Sequence, residues 1–206
     1  MFGKFGKGRD RTKKLEMLAN APIGAGTSVN GRRGVIKGTL LLSEDGDRWI
    51  EHLVEHQDGE RLWVAVENFD RTRATLWSDV EVWDVKGGPD DKSITYNGQS
   101  FRRNESGTVS YTSKGEVDLF ASGTIDYVDF NGPDNMRIGF ERFGEEGAGR
   151  RRRATSGLCP NCHAPLHADA ANKCSSCGSD LMADHGHWGS WEVALGVDVT
   201  DSAGLQ

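Results

Sequence analysis

The stretch WIEHLVEHQDGERLWVAV, residues 49–66, decides the fold class of this chain. Two runs rich in Val, Leu, Ile and Trp flank Asp58-Gly59, a dipeptide that favours the tight turn of a β-hairpin. Branched and aromatic side chains are those that pack well on the pleated surface of a sheet. The stretch therefore predicts two antiparallel strands joined by a short turn.

The same stretch contains H-x-x-E-H, from His52 to His56, which is the inverted zinc-protease pattern. That chemistry needs a helix, on which residues four apart share one face and can hold one metal ion. On a strand the two histidines would lie roughly 13 Å apart, at about 3.3 Å per residue. The hairpin signals argue against a protease, and we expect His52 and His56 to be surface or hairpin residues.

Similar short runs continue on both sides of this hairpin, and dipeptides such as Asn30-Gly31, Asp45-Gly46 and Asn97-Gly98 separate them. The predicted strands cover residues 35–42, 49–54, 62–66, 80–85, 95–101, 108–112, 117–121, 125–130 and 136–143. Regularly spaced short strands of this kind predict a mainly β fold, an antiparallel barrel- or sandwich-like domain.

A weak internal repeat runs through the predicted strands. The matching segments are 29–31 with 96–98, 50–54 with 125–129, and 66–67 with 140–141. A real repeat would mean two related β-subdomains, whereas chance similarity between hairpins is an equally good explanation. The strands carry many carboxylates, and only the repeat distinguishes any of them. It makes Glu67 and Glu141 the candidates for a shared site in the β-domain.

All four cysteines of the chain form two C-x2-C pairs, which eleven residues separate. The candidate ligands are Cys159, Cys162, Cys174 and Cys177. Two such pairs facing each other make a tetrahedral cage of four sulfurs, so the spacing predicts a zinc ribbon that holds one structural Zn2+. Disulfides or a redox pair are the alternative, and the two-residue spacing disfavours a structural disulfide. A four-sulfur site has no open position for substrate.

Composition divides the chain into four segments. Residues 1–22 are predicted to form a basic arm with a short helix at 10–19, and residues 23–143 a β-rich domain. A Gly- and Arg-rich linker follows at residues 144–156. Residues 157–200 are predicted to form a small C-terminal zinc ribbon together with one or two strands that cover it.

Charge is distributed unevenly over this chain of 206 residues, whose formal net charge is −6. The β-rich domain is acidic and should repel nucleic acid. The candidates for contact with phosphates of nucleic acid or lipid are Arg150, Arg151, Arg152 and Arg153. A solvated linker is the simpler interpretation of that run. The basic N-terminal arm could touch a membrane surface, but it lacks a sustained apolar face, which favours a disordered arm instead.

Targeting signals are missing from the sequence. No apolar run approaches the roughly 20 residues of a membrane span, and residues 1–8 lack the apolar core of a signal peptide. With every thiol assigned to a metal site, we expect a cytoplasmic protein, either free or peripheral to the inner face of the membrane. The phosphate-binding loop, the dinucleotide fingerprint and the nucleophile elbow are also missing, so we expect no enzyme.

Residues 23–143 resemble a bacterial family known as domain of unknown function forty-one seventy-eight. The segments that carry the resemblance are 38–40, 49–53, 62–67, 94–98, 107–109, 125–127 and 138–141. The resemblance implies a β-rich domain without an established activity. It also implies a setting beside membrane-stress components, such as phage-shock-like and band-seven-like proteins, and beside polyamine aminopropyltransferase-like enzymes. No catalytic residue is carried over from it.

These observations favour a non-enzymatic accessory or adaptor protein that docks protein partners through its β-domain and its zinc ribbon, in a membrane-stress-associated assembly. Two alternatives remain open. The first is a nucleic-acid-binding module that uses the ribbon and the arginine run. The second is a domain that binds or acts on a small, polyamine-related molecule. A concave pocket lined by Glu67 and Glu141 would favour this last alternative, and a flat solvated carboxylate face would count against it.

Overall fold

Antiparallel strands make up most of the computed structural model, which describes residues 5–68, 72–117, 119, 121–143, 176 and 191–205. One helix, α1 (Phe5–Ala19), precedes the strands. The strands are β1 (Gly26–Val29), β2 (Arg32–Glu44), β3 (Asp47–His56), β4 (Arg61–Asn68), β5 (Thr72–Asp79), β6 (Val85–Lys86), β7 (Ser93–Tyr96), β8 (Gln99–Gly115), β9 (Ser122–Asn131), β10 (Arg137–Phe143), β11 (Glu192–Asp198) and β12 (Gly204–Leu205). The predicted mainly β, antiparallel fold is confirmed.

Eight of these strands close into a barrel. The ring runs β2-β3-β4-β5-β11-β10-β9-β8, and β8 returns to pair with β2 from Gly38↔Gly115 to Ser43↔Ser110. Strand β2 is long enough to pair with β1 through its first half and with β8 through its second half, while β3 lies along its other edge. A closed ring leaves no unpaired strand edge within the barrel wall.

The two halves of the barrel have the same strand order. In each half a short strand leads through a hairpin into a long one, and three further antiparallel strands follow: β1 to β5, then β7 to β11. The first hairpin turns match closely, because Asn30 and Asn97 have φ of 51° and 48° and a glycine of positive φ follows each. This turn geometry suits Asn-Gly. The halves meet at the antiparallel pairs β2–β8 and β5–β11.

The C-terminal strands were predicted to cover the ribbon, and that prediction is wrong. Strand β11 lies between β10 and β5 and completes the barrel. Val193 is buried with Ile138 and Phe140, so apolar contact holds it against the second half of the barrel. The barrel therefore consists of residues 23–143 together with the segment 191–205. In the sequence, the predicted linker and the cysteine pairs come after β10 and before β11.

Two other expectations about the strands are wrong. Residues 80–85 were predicted as a strand, but Val82–Asp84 form a short 3-10 helix and the neighbouring barrel strand is β5 instead. Residues 117–121 do not form a strand where the structure describes them. Strand β5 was not predicted, because its sequence, TRATLWSD, mixes polar and apolar residues and contains no clear run of apolar residues.

Most of the apolar packing lies on the outer faces of the barrel wall. One cluster packs under α1 and includes Leu15, Leu18, Ile36, Val54, Val64 and Val66. A second covers the other half and includes Phe101, Phe130, Ile138 and Phe140. Because successive residues of a strand point to opposite faces, the residues between these apolar positions point into the barrel. The interior therefore receives many polar side chains of the same strands, together with a third apolar cluster that includes Leu40, Leu42, Val109, Tyr111 and Ile125.

His52 joins α1 to the barrel wall. Its side chain is fully buried, and its Nε2–H donates to the carbonyl oxygen of Leu18 at 2.9 Å. Because a carbonyl can only accept, Nδ1 is the acceptor for the hydroxyl of Thr39, also at 2.9 Å. His52 and His56 do belong to the predicted hairpin, but both are buried rather than exposed. The strand conformation of β3 agrees with the argument against a protease.

Replacing His52 with leucine is expected to lower the free energy of unfolding by about 2–3 kcal/mol, because two buried polar groups lose their partners. Burial also lowers the pKa of His52, so the folded protein prefers the neutral ring. Stability is therefore complete above the ordinary pKa, about 6.5, and falls as the pH drops below it. Urea denaturation between pH 5 and 8 measures both effects. His52→Gln should restore part of the loss, and an unchanged acid limb in His52→Leu would contradict the assignment.

Candidate binding site inside the barrel

A cavity of about 540 Å³ opens inside the barrel, next to the turn between β2 and β3. Eight carboxylate side chains line it: Glu44, Asp45, Asp47, Glu51, Glu67, Glu105, Asp129 and Glu141. Among the described residues, two cationic side chains, Arg73 and Arg137, accompany them. Leu42, Val109 and Ile125 supply apolar surface. The cavity is therefore concave, enclosed by strands and strongly acidic.

Strand alternation explains why these side chains meet. On β9 every second residue, Ile125, Tyr127, Asp129 and Asn131, lines the cavity, while Val128 and Phe130 between them belong to the outer apolar cluster. On β4, Glu67 lines the cavity and its neighbour Val66 packs under α1. The same period of two places carboxylates from several strands around one space.

Glycines on the inner face of the wall make room for large side chains. A Cβ built on Gly107 would collide with the carboxylate of Glu44 and would lie 2.9 Å from the ring of Tyr127. These two side chains pair in that space, since the Tyr127 hydroxyl donates to Oε2 of Glu44 at 2.8 Å. The pair holds one carboxylate of the cavity rim in place.

Glu67 lies between the two arginines. Nη1 of Arg137 is 3.4 Å from Oε1 of Glu67, and both side chains are mostly buried, with 20% and 16% of their surfaces exposed. Arg73 is the register partner of Glu67 on the adjacent strand. Burial raises the pKa of Glu67, and the two guanidinium groups oppose that increase. The two arginines therefore balance the negative charge of Glu67, and the rest of the cavity stays acidic.

Among the carboxylates of the cavity, Glu51 and Asp129 have the most strongly raised pKa values. Burial raises the pKa of Glu51 to about 8, and the neighbouring carboxylate of Glu141 adds to the increase. Burial also raises the pKa of Asp129 to about 8, with a further contribution from Glu105. Trp49 opposes part of this, because its Nε1–H donates to Oε1 of Glu51 at 3.4 Å. Near neutral pH these two groups hold protons that a nearby cation would displace.

Aromatic rings complete the walls of the cavity. Trp49, Trp77 and Tyr127 all line it. The face of an aromatic ring attracts a cation, and the attraction is stronger where water is excluded. Carboxylates that accept hydrogen bonds and rings that take apolar or cationic groups together make a surface suited to an organic ammonium group.

The predicted pair Glu67 and Glu141 lies in this cavity, on the corresponding strands β4 and β10. Their shared role stays a prediction. The cavity also contains Glu51, Asp129 and Trp77, which were not predicted as site residues. Strand parity was the available signal for Asp129, which lies between the apolar residues Val128 and Phe130 of a predicted strand. The residues around Glu51 show no such alternation. The predicted zinc ligands Cys159, Cys162, Cys174 and Cys177 and the run Arg150–Arg153 lie outside the described residues.

Among the residues that the structure describes, no group of three or more His, Cys, Asp or Glu side chains has an arrangement that could hold a metal ion. Within the same residues, no helix has both the length and the apolar character that a membrane crossing requires.

Comparison with known proteins finds relatives without an assigned activity. The family model described as "Domain of unknown function (DUF4178)" matches residues 22–157. Uncharacterized proteins of Mycobacterium tuberculosis (strain ATCC 25618 / H37Rv) and Mycobacterium bovis are each 31% identical over 126 residues. The match covers 58% of this chain and 59% of each relative, so it spans less than two thirds of their length. No solved structure matches the chain.

Proposed function

This chain belongs to the DUF4178 family, and from that premise we propose that its barrel binds a small organic cation. The description of the family names no ligand, so the proposal rests on the geometry of the site. The observation that carries it is the acidic, aromatic-walled cavity of about 540 Å³ inside the closed barrel. Small-molecule sites typically occupy about 300–1,000 Å³. An eight-stranded barrel is about wide enough to hold one small ligand.

The charges around the cavity determine the sign of the charge that a ligand should carry. Carboxylates outnumber guanidinium groups by eight to two around the cavity. Low-dielectric walls of one charge sign focus the field and raise the local concentration of the opposite ion. An anion would meet repulsion and would have to displace Glu67 from Arg137. A cation instead relieves the repulsion among Glu51, Asp129 and Glu141.

The lining also indicates the kind of cation. An ammonium group donates hydrogen bonds to carboxylates, and its alkyl part can lie on Trp49 and Tyr127 or on the apolar side chains of Val109 and Ile125. The volume far exceeds that of a bare metal ion. A primary amine with an aliphatic chain fits these features, which favours the polyamine-related alternative over the nucleic-acid-binding one.

The adaptor role and the structural Zn2+ stay predictions, because the cysteine pairs lie outside the described residues. Cation binding is compatible with an accessory role. A ligand inside the barrel could change how the protein docks its partners, and the protein would then be a ligand-dependent adaptor rather than an enzyme.

Titration calorimetry of the full chain at low salt tests the proposal. Butylamine and 1,4-diaminobutane are expected to bind, whereas butyrate, which has the same chain but the opposite charge, should not. Glu55→Gln/Glu116→Gln is the control variant, because those carboxylates pair with Lys37 and Arg61 away from the cavity. It should bind amines as the parent does. The proposal would be wrong if butyrate bound as well as the amines, or if neither amine bound.

A further inference from the structure

Trp77 separates the main cavity from a second, much smaller one. The small pocket has a volume of about 40 Å³. Glu51, Glu141 and Trp77 line both spaces, whereas Trp49 and Tyr127 line only the main cavity. The indole of Trp77 and these two carboxylates therefore mark the junction between the two spaces.

Two glycines hold the indole in this position. A Cβ built on Gly196, the register partner of Trp77 on β11, would lie 2.6 Å from the indole ring. One built on Gly139 of β10 would lie 3.3 Å from it. The ring therefore lies directly against the backbone of two strands and has no space to move toward them. Because protein interiors are close-packed, a side chain held in this way is a fixed wall.

We propose that Glu51, Glu141 and Trp77 form a size-selective subsite for a primary ammonium group. This deepens the proposed function and rests on it. A cavity needs about 10–15 Å³ to hold one water molecule, so a space of about 40 Å³ has room for about three. A primary ammonium group is about the size of a water molecule, and three methyl groups on the nitrogen make it several times larger.

Hydrogen bonding selects for the same group. A primary ammonium has three N–H donors, and the two carboxylates at the junction can accept them. A trimethylammonium group has none, so its only favourable contact would be with aromatic rings. Size and hydrogen bonding therefore both favour the primary amine at this junction, and Trp77 is the residue that sets the size limit.

A matched pair of ligands tests this inference. Butylamine and butyltrimethylammonium carry the same charge and chain, and calorimetry gives their affinities for the full-length protein. The parent is expected to prefer butylamine by about tenfold or more, which corresponds to about 1.4 kcal/mol. Trp77→Leu joins the two spaces and should bring the two affinities to within about twofold of each other.

Tyr127→Leu is the matched control, because it removes an aromatic ring from the main cavity only. It should weaken both ligands and keep their ratio. If Trp77→Leu does not fold by circular dichroism, Trp77→Phe replaces it and should lower the preference for butylamine. An unchanged ratio in a folded Trp77 variant, or equal affinities in the parent, would overturn the inference while leaving cation binding intact. Failure of both ligands to bind the parent would overturn the proposed function as well.

Discussion

Replacing Glu51 with glutamine and Asp129 with asparagine in one chain is expected to abolish amine binding and to stabilise the fold. Burial raises the pKa of both carboxyl groups to about 8, because the folded protein disfavours their ionised forms. A raised pKa means that stability is fully present below the ordinary pKa of about 4 and is lost as the pH rises through about 8. The amides cannot ionise, so the variant should not lose stability over this range.

The expected gain in the free energy of unfolding follows from the two raised pKa values. One pKa unit corresponds to about 1.36 kcal/mol, but both side chains are only half-buried and reach the open cavity, so much of the difference is screened. We expect the double variant to be about 2–4 kcal/mol more stable than the parent at pH 9 and nearly equal to it at pH 4. Urea denaturation at pH 4, 7 and 9 measures this difference.

Glu55→Gln/Glu116→Gln again provides the control, since it also neutralises two carboxylates. These groups pair with Lys37 and Arg61 at partly exposed positions, so the control should change stability by less than about 1 kcal/mol. Its dependence on pH should match that of the parent. A double variant of Glu51 and Asp129 that is less stable than the parent at pH 9 would show that the two ionised groups stabilise the barrel.

Amine affinity is expected to rise steeply with pH between 6 and 8. In the empty cavity Glu51 and Asp129 hold protons below their pKa of about 8, and a cation favours their ionised forms. Each carboxyl that must lose its proton weakens binding by about tenfold per pH unit below that pKa. The rise should stop above about pH 8, because both groups are then ionised, while a primary amine keeps its charge to about pH 10.

Calorimetry in buffers of different ionisation enthalpy gives the number of protons released on binding. One to two protons should be released at pH 6.5, and close to none at pH 9. Glu51→Gln removes one of the two groups, so the release at pH 6.5 should fall by about half. Affinity that stays constant from pH 6 to 8 would mean that the carboxylates are already ionised in the empty cavity.

Glu51 and Asp129 are thus expected to bind the amine and also to destabilise the fold. Functional sites commonly keep polar groups at such a cost to stability. The outer clusters around Leu18 and Phe140 provide the apolar packing. The inner face is therefore free to carry Glu51, Asp129 and Glu141, and burial together with the neighbouring carboxylates keeps Glu51 and Asp129 protonated near neutral pH until a cation enters. In this barrel the ligand site is separated from the packing that stabilises the wall.

Much of the local structure could be predicted from short segments. The hairpin of β3 and β4 follows from branched and aromatic runs around Asp58-Gly59, and Asn30-Gly31 and Asn97-Gly98 adopt the left-handed turns that these residues favour. Such features depend on neighbouring residues alone, so they are visible without knowledge of the fold. The repeat that suggested Glu67 and Glu141 was visible for the same reason.

The closure of the barrel and the identity of its interior depended on the tertiary structure. Strand β11 is separated from β10 by the segment 144–191 and is far along the chain from β5, and no local signal states which strand edges will pair. Alternation of polar and apolar residues is readable in β4 and β9, but it does not say which face points inward. One apolar cluster fills part of the interior, and α1 and β6–β7 cover the two other apolar clusters from outside. Local propensity in the sequence determined most of the strands and their turns. Long-range strand pairing created the acidic cavity and placed Glu51 and Asp129 inside it.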